Sequence, residues 1–544
     1  MRTLFPAIVL FAAALALSPS GCAAETQTVD VCVYAATLAG IVAAVTAKQE
    51  GMSVVIVEPS RWVGGILGAG IKPKQDCPEP RAVGGLTKSR VFVAGNDPPS
   101  IRESFARWLK EEQIPVVFEY RVQRVEKDGQ RITRIHLECA PPDELGVPAP
   151  IAKAGPGRIV EAKMFIDASY EGDVMAGARV PYAVGREPAA KFNEKPAGVG
   201  DPTNWRPIDP YREPGKPESG LLPLVDADHG KAKGAGDDYT QAYNFRYYVT
   251  DNPAKRAPFT PPADYDAKQF ELVDRYVQHI LNWAGGDVKK AMPRLANIFP
   301  GWRNSGEYNY QRESLVTMAP LGVSRFYQDG DWATRSKVWR QHIDYLRGLH
   351  HFLSTDPRVP EEFRKKTAAL GLDRTMHPDT QGWPHQLYVR ITRRMQGRYI
   401  LTHADVLNQT RVDDAVGLAL YGVDTYPVRR YAARDPKTGA LGVATEGNMF
   451  IGGARGTGKP YAVPYRAITP KPEACSNLLV PVCFSASYIA YASARMEPVF
   501  CVLGESAGVA AAHAVRGGSS VQSVDVKKLQ GRLLERGQVL EWKP

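Results

Sequence analysis

Residues 30–65 read DVCVYAATLAGIVAAVTAKQEGMSVVIVEPSRWVGG, and no other stretch constrains the chain as much. Val31, Cys32, Val33 and Tyr34 are a short apolar run of strand type. Ala35 to Gly40 is a small-residue turn. From Leu38 to Glu50 the apolar positions follow a helical period, and Gly51 is a suitable C-terminal stop. Residues 53–57 form a second buried strand with Glu58 at its end. Strand, tight turn, helix and strand make the βαβ unit that opens a dinucleotide-binding fold. Backbone N–H groups at the helix start can hold a pyrophosphate, aided by the helix dipole. An acid about 20 residues on can bind a ribose, and Glu58 lies 18 after Gly40. The slots of the usual G-x-G-x-x-G pattern hold Ala35, Thr37 and Gly40. Ala35 suits the turn if its φ stays negative, and Thr37 narrows the backbone's approach to phosphate. Alone, the stretch fits an ordinary buried βαβ unit equally well.

The chain has 544 residues, 44% hydrophobic and 23% charged, enough for two or three domains with a large core. Its net charge of +10 is mild over that length, and no basic run carries interleaved aromatics, so nucleic acid is not an expected partner. Arg2 and the apolar run 7–17, too short to span a bilayer, read as a signal peptide over residues 1–24. Cleavage after Ala24 would release an exported soluble protein. Cleavage before Cys22, with lipid on its sulfur, would tether the protein to a membrane. Ser20 and Gly21 suit the lipid anchor and Pro19 does not. Either way the expected location is periplasmic or extracellular. The seven cysteines form no C-x-x-C pair. Cys77 and Cys475 lie in loops rich in proline and charge, where an exported protein could join them. His350 and His351 point about 100° apart on a helix and cannot make an i, i+4 metal pair. They and His342 read as packing or surface residues, and no metal is expected.

Farther along, Gly64 and Gly65 let backbone pass close to a ligand. Residues 116–122 and 132–139 flank an Asp-Gly turn and read as a hairpin. A third strand, 158–165, runs into Asp167, Ala168 and Ser169. Tyr170, Glu171, Gly172 and Asp173 follow, a turn with acids at a helix start. Open α/β sheets place ligands at such an edge, although the helix dipole alone also favours acids there. Residues 186–240 read as a surface excursion, 241–249 as an aromatic strand, and 267–283 and 332–353 as helices. In 383–395, Arg390, Arg393 and Arg394 share one side of a helix, and Arg390 and Arg394 one face of a strand. They suit either ion pairs with Asp405, Asp413 or Asp414, or an anion clamp. Residues 461–470 read as extended and 477–482 as a buried strand. Gly504 is expected to open a second small-residue helix, and 526–534 a final one.

Six separated motifs then point one way: DVCVYAATLAGIVAA with VVIVE, GGILGAG, FIDASYEGDVMAGA, GWPHQLYVRITRRMQGRYILTHADV, YAVPYRAITP, and NLLVPVCFSASYIAYASARMEPVFCVLGESAGVAAA. With them, in this order from residue 30 onward, the chain resembles the FAD-dependent oxidoreductases of the two-dinucleotide-binding-domain flavoprotein group, in the xanthan-lyase-like branch. The resemblance implies an α/β protein. Its Rossmann-like FAD-binding domain comes from both ends of the chain (25–190 and 441–544), with a β-meander and an inserted α+β cap or substrate domain (191–440). It implies that Ala35, Ala36, Thr37, Ala39 and Gly40 hold the pyrophosphate and Glu58 the ribose. Gly64 and Gly65 would run along the flavin, and Val122 would meet the adenine by backbone. Asp167 and Ala168 would approach the pyrophosphate or ribityl chain. Gly504, Ala507 and Gly508 would aim a helix N-terminus at the flavin's pyrimidine end.

The expected function is passage of a hydride or electron pair between FAD and a small organic substrate, with the electron acceptor unspecified. Oxidation at C–H needs a base and alkene reduction an acid; Glu171, His385, Arg390 and Glu497 are the candidates. The arginines suit a carboxylate, such as a carbohydrate-derived uronic acid. One alternative is a polysaccharide lyase using Tyr388, His385 and Arg390. Another is a non-catalytic glycan-binding protein on a flavoprotein fold.

Overall fold

The computed structural model describes residues 25–299, 305–309, 312–435, 437–452 and 459–543. The expected signal peptide and Cys22 lie outside the described residues. At the centre is a parallel sheet: β1 (Glu25–Tyr34), β2 (Val54–Glu58), β3 (Val116–Phe118) and β6 (Arg158–Asp167), in the order β3-β2-β1-β6. Val31 to Tyr34 pair with Val54 to Val57 on one side and with Met164 to Asp167 on the other. All five residues of β2 are buried, as a parallel strand covered on both faces requires. A fifth parallel strand comes from the far end of the chain: Leu478 and Leu479 pair with Phe165 and Ile166 of β6. Both ends of the chain therefore build one sheet.

The first half of β6 stays paired with β1 on one side and on the other pairs antiparallel with β5 (Arg131–Cys139), which pairs with β4 (Tyr120–Asp128), so these strands extend the same sheet. This is the expected meander. Residues 116–122 are not one strand, however. Glu119 adopts a left-handed φ of 65° and breaks the run, so Val116 to Phe118 extend the parallel sheet while Tyr120 starts the meander.

Helix α1 (Leu38–Gln49) is apolar on every side, and Leu38 to Ala47 are all buried. It packs between the sheet and the Glu497–Gly517 helix. The contact is closer than two side chains would permit. A Cβ on Gly504 would collide with the Ala39 carbonyl, and one on Gly508 would sit 2.6 Å from the Ala43 carbonyl. The Glu497–Gly517 helix is long and apolar enough to cross a membrane, yet it is a buried core element here.

Between the two sheet-forming ends lie smaller sheets and helices. Strands Pro202–Arg206, Arg429–Arg434 and Leu441–Glu446 form one sheet that takes strands from both sides of residue 440. Of the strand expected over 241–249, only Tyr247–Thr250 forms, in a four-stranded sheet; the preceding residues are buried but pair only at Asn244, with Tyr388. Helices Glu271–Trp283 and Trp332–Thr355 match the periodicity. His350 stacks on Phe259 and bonds the Thr367 carbonyl, a packing role. Among the described residues no group of three His, Cys, Asp or Glu is arranged to hold a metal. The six described cysteines are free. Cys77 and Cys475, considered above as a pair, are buried in different apolar clusters.

Candidate active site

The site is built on the turn between β1 and α1. Ala35 N–H donates to Val57 O, and Ala36 N–H donates to Glu58 Oε2 at 2.6 Å. Thr37 caps α1: its hydroxyl accepts Gly40 N–H at 3.2 Å and donates to Ala168 O at 2.7 Å. A Cβ on Gly40 would strike the Ala35 carbonyl, which is why this glycine slot cannot change. Ala35 does not keep the negative φ expected of it. Its φ is 75°, the left-handed conformation that glycine adopts freely and alanine at a cost of roughly 1–2 kcal/mol. Ala39, expected at the pyrophosphate, also seats its carbonyl against Gly504.

Glu58 is buried, and its other oxygen takes the Ser60 N–H and hydroxyl at 2.8 and 2.6 Å. Burial pushes its carboxyl above the usual range, against these hydrogen bonds. Beside it Gly64 donates to Ala36 O, with φ of 93° at Gly64 and 49° at Gly65, and α2 (Gly65–Ala69) starts there. Ile66 N–H donates to the Tyr170 hydroxyl at 3.2 Å, and a Cβ on Gly65 would lie 2.6 Å from that oxygen. Val122 N–H lies 3.4 Å from the Tyr34 hydroxyl.

The turn after β6 is shaped from within. Asp167 accepts from the Ser169 N–H, the Ser169 hydroxyl and the Met175 N–H, so its carboxylate is used in holding the turn. Burial raises Asp167 to about 6. Glu171 accepts from the Tyr327 hydroxyl at 2.9 Å, and burial lifts it to about 7 against the pull of Arg335. Tyr170 donates to Glu497 Oε1 at 2.8 Å. Glu497 is raised by burial to about 8, and its Oε2 has no partner. His385 stacks on Trp62 with ring centroids 4.9 Å apart. Burial, then neighbouring His377 and Arg102, push its pKa well below the normal value, so the ring is neutral.

Ala35, Thr37, Glu58, Gly65, Glu171 and His385 line one cleft at the carboxyl edge of the parallel sheet, with about 730 Å³ of unfilled space partly open to solvent. The far wall holds Arg121, Trp332 and Tyr327, none of which carries a local sequence signal; tertiary packing alone brings them here. Tyr170 does stand inside a recognisable motif, next to Glu171. The cleft suits FAD: Ala35 and Thr37 bring the capped start of α1 to its lining, a buried acid ends β2, and a glycine turn opens beside it. The α1 start would hold the pyrophosphate, Glu58 the ribose, and Gly64 and Gly65 the ring.

Two expectations fail geometrically. Gly504, Ala507 and Gly508 do not open a helix; they lie inside one that starts at Glu497, and the glycines serve its packing on α1. The residues presented by that helix start are Met496 and Glu497. The three arginines do not form a clamp, because 390–393 are neither helix nor strand. Arg393 binds Asp173 and Asp329, and Arg394 binds Glu187. Arg390 lies away from the cleft lining, bonded to the Ala242 carbonyl and to Asn244. None pairs with Asp405, Asp413 or Asp414; Asp414 holds Arg466 instead.

A family model described as FAD dependent oxidoreductase matches residues 30–533, nearly the whole chain. The chain belongs to that family. FAD is its cofactor. No curated protein matches. Among solved structures, a flavoprotein/dehydrogenase from Cytophaga hutchinsonii is 20% identical over 28% of this chain and 42% of its own, with TM-score 0.21. L-proline dehydrogenase from P. horikoshii is 17% identical over 32% and 26%, with TM-score 0.19. T. acidophilum thioredoxin reductase is 18% identical over 26% and 35%, with TM-score 0.17. Each likeness spans less than half of the other protein, and at those TM-scores it says nothing further.

Proposed function

We propose that this protein passes a hydride or electron pair between FAD and a small, carbohydrate-derived organic substrate, and that it belongs to the xanthan-lyase-like branch of its family. The carrying observation is the single cleft in which the β1–α1 turn and Glu58 meet Gly65, Glu171 and His385. When bound, FAD supplies the two-electron chemistry. The chain's own groups do the rest. Glu171, whose carboxyl burial raises above the usual range, lines the cleft and is placed to take or return a substrate proton. The neutral His385 ring, fixed on Trp62, orients a substrate at the cleft wall. Glu497 keeps its proton below about pH 8 and positions Tyr170. Tyr388, His385 and Arg390 do not support lyase chemistry as a set, since His385 faces the cleft while Arg390 bonds Ala242 and Asn244.

Arg2 and the apolar run 7–17 support export, with maturation after Ala24 or at a lipidated Cys22. The domain limits proposed are 25–190 and 441–544 for the FAD-binding part and 191–440 for the cap. The decisive measurement is the visible spectrum of the purified protein. Flavin absorption that bleaches anaerobically with sugars or sugar acids is the expected result. A colourless protein that takes up no added FAD would overturn the reading. Mass spectrometry of protein from the export compartment would show a chain starting after Ala24 or at modified Cys22; an uncut cytoplasmic chain would refute export.

A further inference from the structure

Beyond the cleft lies a buried polar cluster that no part of the reading above uses. Arg390 is 3% exposed, with its guanidinium between the rings of Tyr388 and Tyr426, 4.5 and 4.0 Å from their centroids. Its hydrogen bonds go to neutral acceptors, the Ala242 carbonyl and Asn244 Oδ1, and its Nε has no partner. Arg495, equally buried, donates to the Tyr388 hydroxyl, Gln241 Oε1 and the Asp424 carbonyl, and its Nε is also unpartnered. Its one carboxylate contact, Asp424 Oδ2 at 3.5 Å, is shared with Arg312. Nearby Arg246 is paired with Glu307.

Asp76 lies within electrostatic range of this group. It is half-buried and sits at a left-handed φ of 59°. It makes no hydrogen bond among the described residues, although Arg246, Arg495 and Arg390 all act on it electrostatically. Burying a guanidinium without a counter-charge costs several kcal/mol. Arg390 and Arg495 also repel each other. Arg390 is the guanidinium here with no carboxylate bonded to it, and Arg495 has only the long contact to Asp424, so a bound anion would complete the pair.

Resting on the flavoenzyme reading, we propose that Arg390 and Arg495, with Tyr388 and Asp76, bind a small hydroxylated carboxylate, the guanidinium groups taking its carboxylate and Asp76 a hydroxyl. Asp76 disfavours a doubly charged phosphate, and Arg forks match a carboxylate. Two short stretches of chain run between these residues and residues of the cleft. Helix α2, which starts at Gly65 in the cleft wall, leads through Gly70, packed on the Arg246 backbone, to Asp76. Arg495 stands two residues before Glu497, which holds Tyr170 of the cleft.

The test is calorimetric titration of the purified holoenzyme with D-glucuronate, L-lactate, D-glucose and inorganic phosphate, recording the flavin spectrum in parallel. At least one of the two carboxylates should bind about tenfold or more tighter than glucose and phosphate, as charge-assisted bonds to guanidinium imply. Arg390→Met should weaken that carboxylate about tenfold or more, Arg390→Lys less, and Tyr388→Phe severalfold, with flavin absorption unchanged. Should Arg390→Met not fold, Arg390→Lys and Tyr388→Phe carry the test. Absence of carboxylate binding, tighter binding of phosphate or glucose, or unaltered affinity in the variants overturns the site. A colourless protein that still binds carboxylate through Arg390 supports the site and sinks the flavin reading instead.

Discussion

Tyr170 donates its phenolic hydrogen to Glu497 at 2.8 Å, joining the turn after β6 to the start of the Glu497–Gly517 helix. The same oxygen accepts the Ile66 N–H at 3.2 Å, so one hydroxyl ties both to the glycine turn at the cleft. Tyr170→Phe removes both bonds and leaves the Glu497 carboxyl without a partner. A buried polar group left unsatisfied costs about 1–3 kcal/mol. The variant should unfold at lower urea and release flavin faster than the parent; unchanged release would mean that Tyr170 does not hold the turn.

Glu497 makes stability depend on pH. Its folded pKa is raised from 4.5 to about 8, chiefly by burial. The folded state thus holds a proton that the unfolded state gives up, so stability falls as pH rises from about 4.5 and levels off above about 8. Glu497→Gln removes this titration. The variant should be more stable than the parent at pH 8–9, by on the order of a few kcal/mol, with the advantage vanishing near pH 4. Urea melts of both proteins across that range check it, and a pH-independent difference would refute it.

Gly40 and Gly504 exclude a side chain for different reasons. At Gly40 the obstacle is the Ala35 carbonyl in the turn itself, so Gly40→Leu should abolish flavin retention. At Gly504 the obstacle is the Ala39 carbonyl across the helix pair. Gly504→Ala should cost about 1–3 kcal/mol by overpacking, while the folded fraction still binds FAD. Flavin loss in Gly504→Ala with an unchanged melting temperature would restore a direct cofactor role to Gly504.

Ala35 carries strain that its position does not require. Ala35→Gly relieves roughly 1–2 kcal/mol of left-handed cost and adds roughly 0.5–1 kcal/mol of unfolded-chain entropy. The net expectation is a gain of up to about 1.5 kcal/mol, with unchanged or tighter flavin binding. Ala35→Val should lose stability, because branching at Cβ worsens the same clash. Denaturation midpoints ordered Val above Gly would show that the turn is not left-handed.

The fold was readable because its cues are local. Val31 to Tyr34, the apolar helix after Thr37 and the run ending at Glu58 are short-range patterns, and backbone hydrogen bonding converts them into strand, helix and strand. The collinear motifs added the cofactor and the return of the chain's end to the sheet. The same reasoning misplaced Gly504. A small-residue run looks alike at the start of a helix and in its middle, and only the close approach of α1 shows which it is. The arginines at 390, 393 and 394 were misread for a related reason. Their spacing has meaning only on a regular element, and 390–393 form none.

What the sequence determined by itself is the βαβ unit, its turn at Ala35 to Gly40, the acid at Glu58 and, only through the resemblance carried by the collinear motifs, the class of cofactor. Tertiary structure decided the φ of Ala35, the partner of Tyr170, the wall formed by Arg121, Trp332 and Tyr327, and the company that Arg390 and Asp76 keep. The reason is physical. Helical and strand periods are written in neighbours a few residues apart. The charge state of a carboxyl such as Glu497 depends on groups brought from hundreds of residues away, and on the water they exclude.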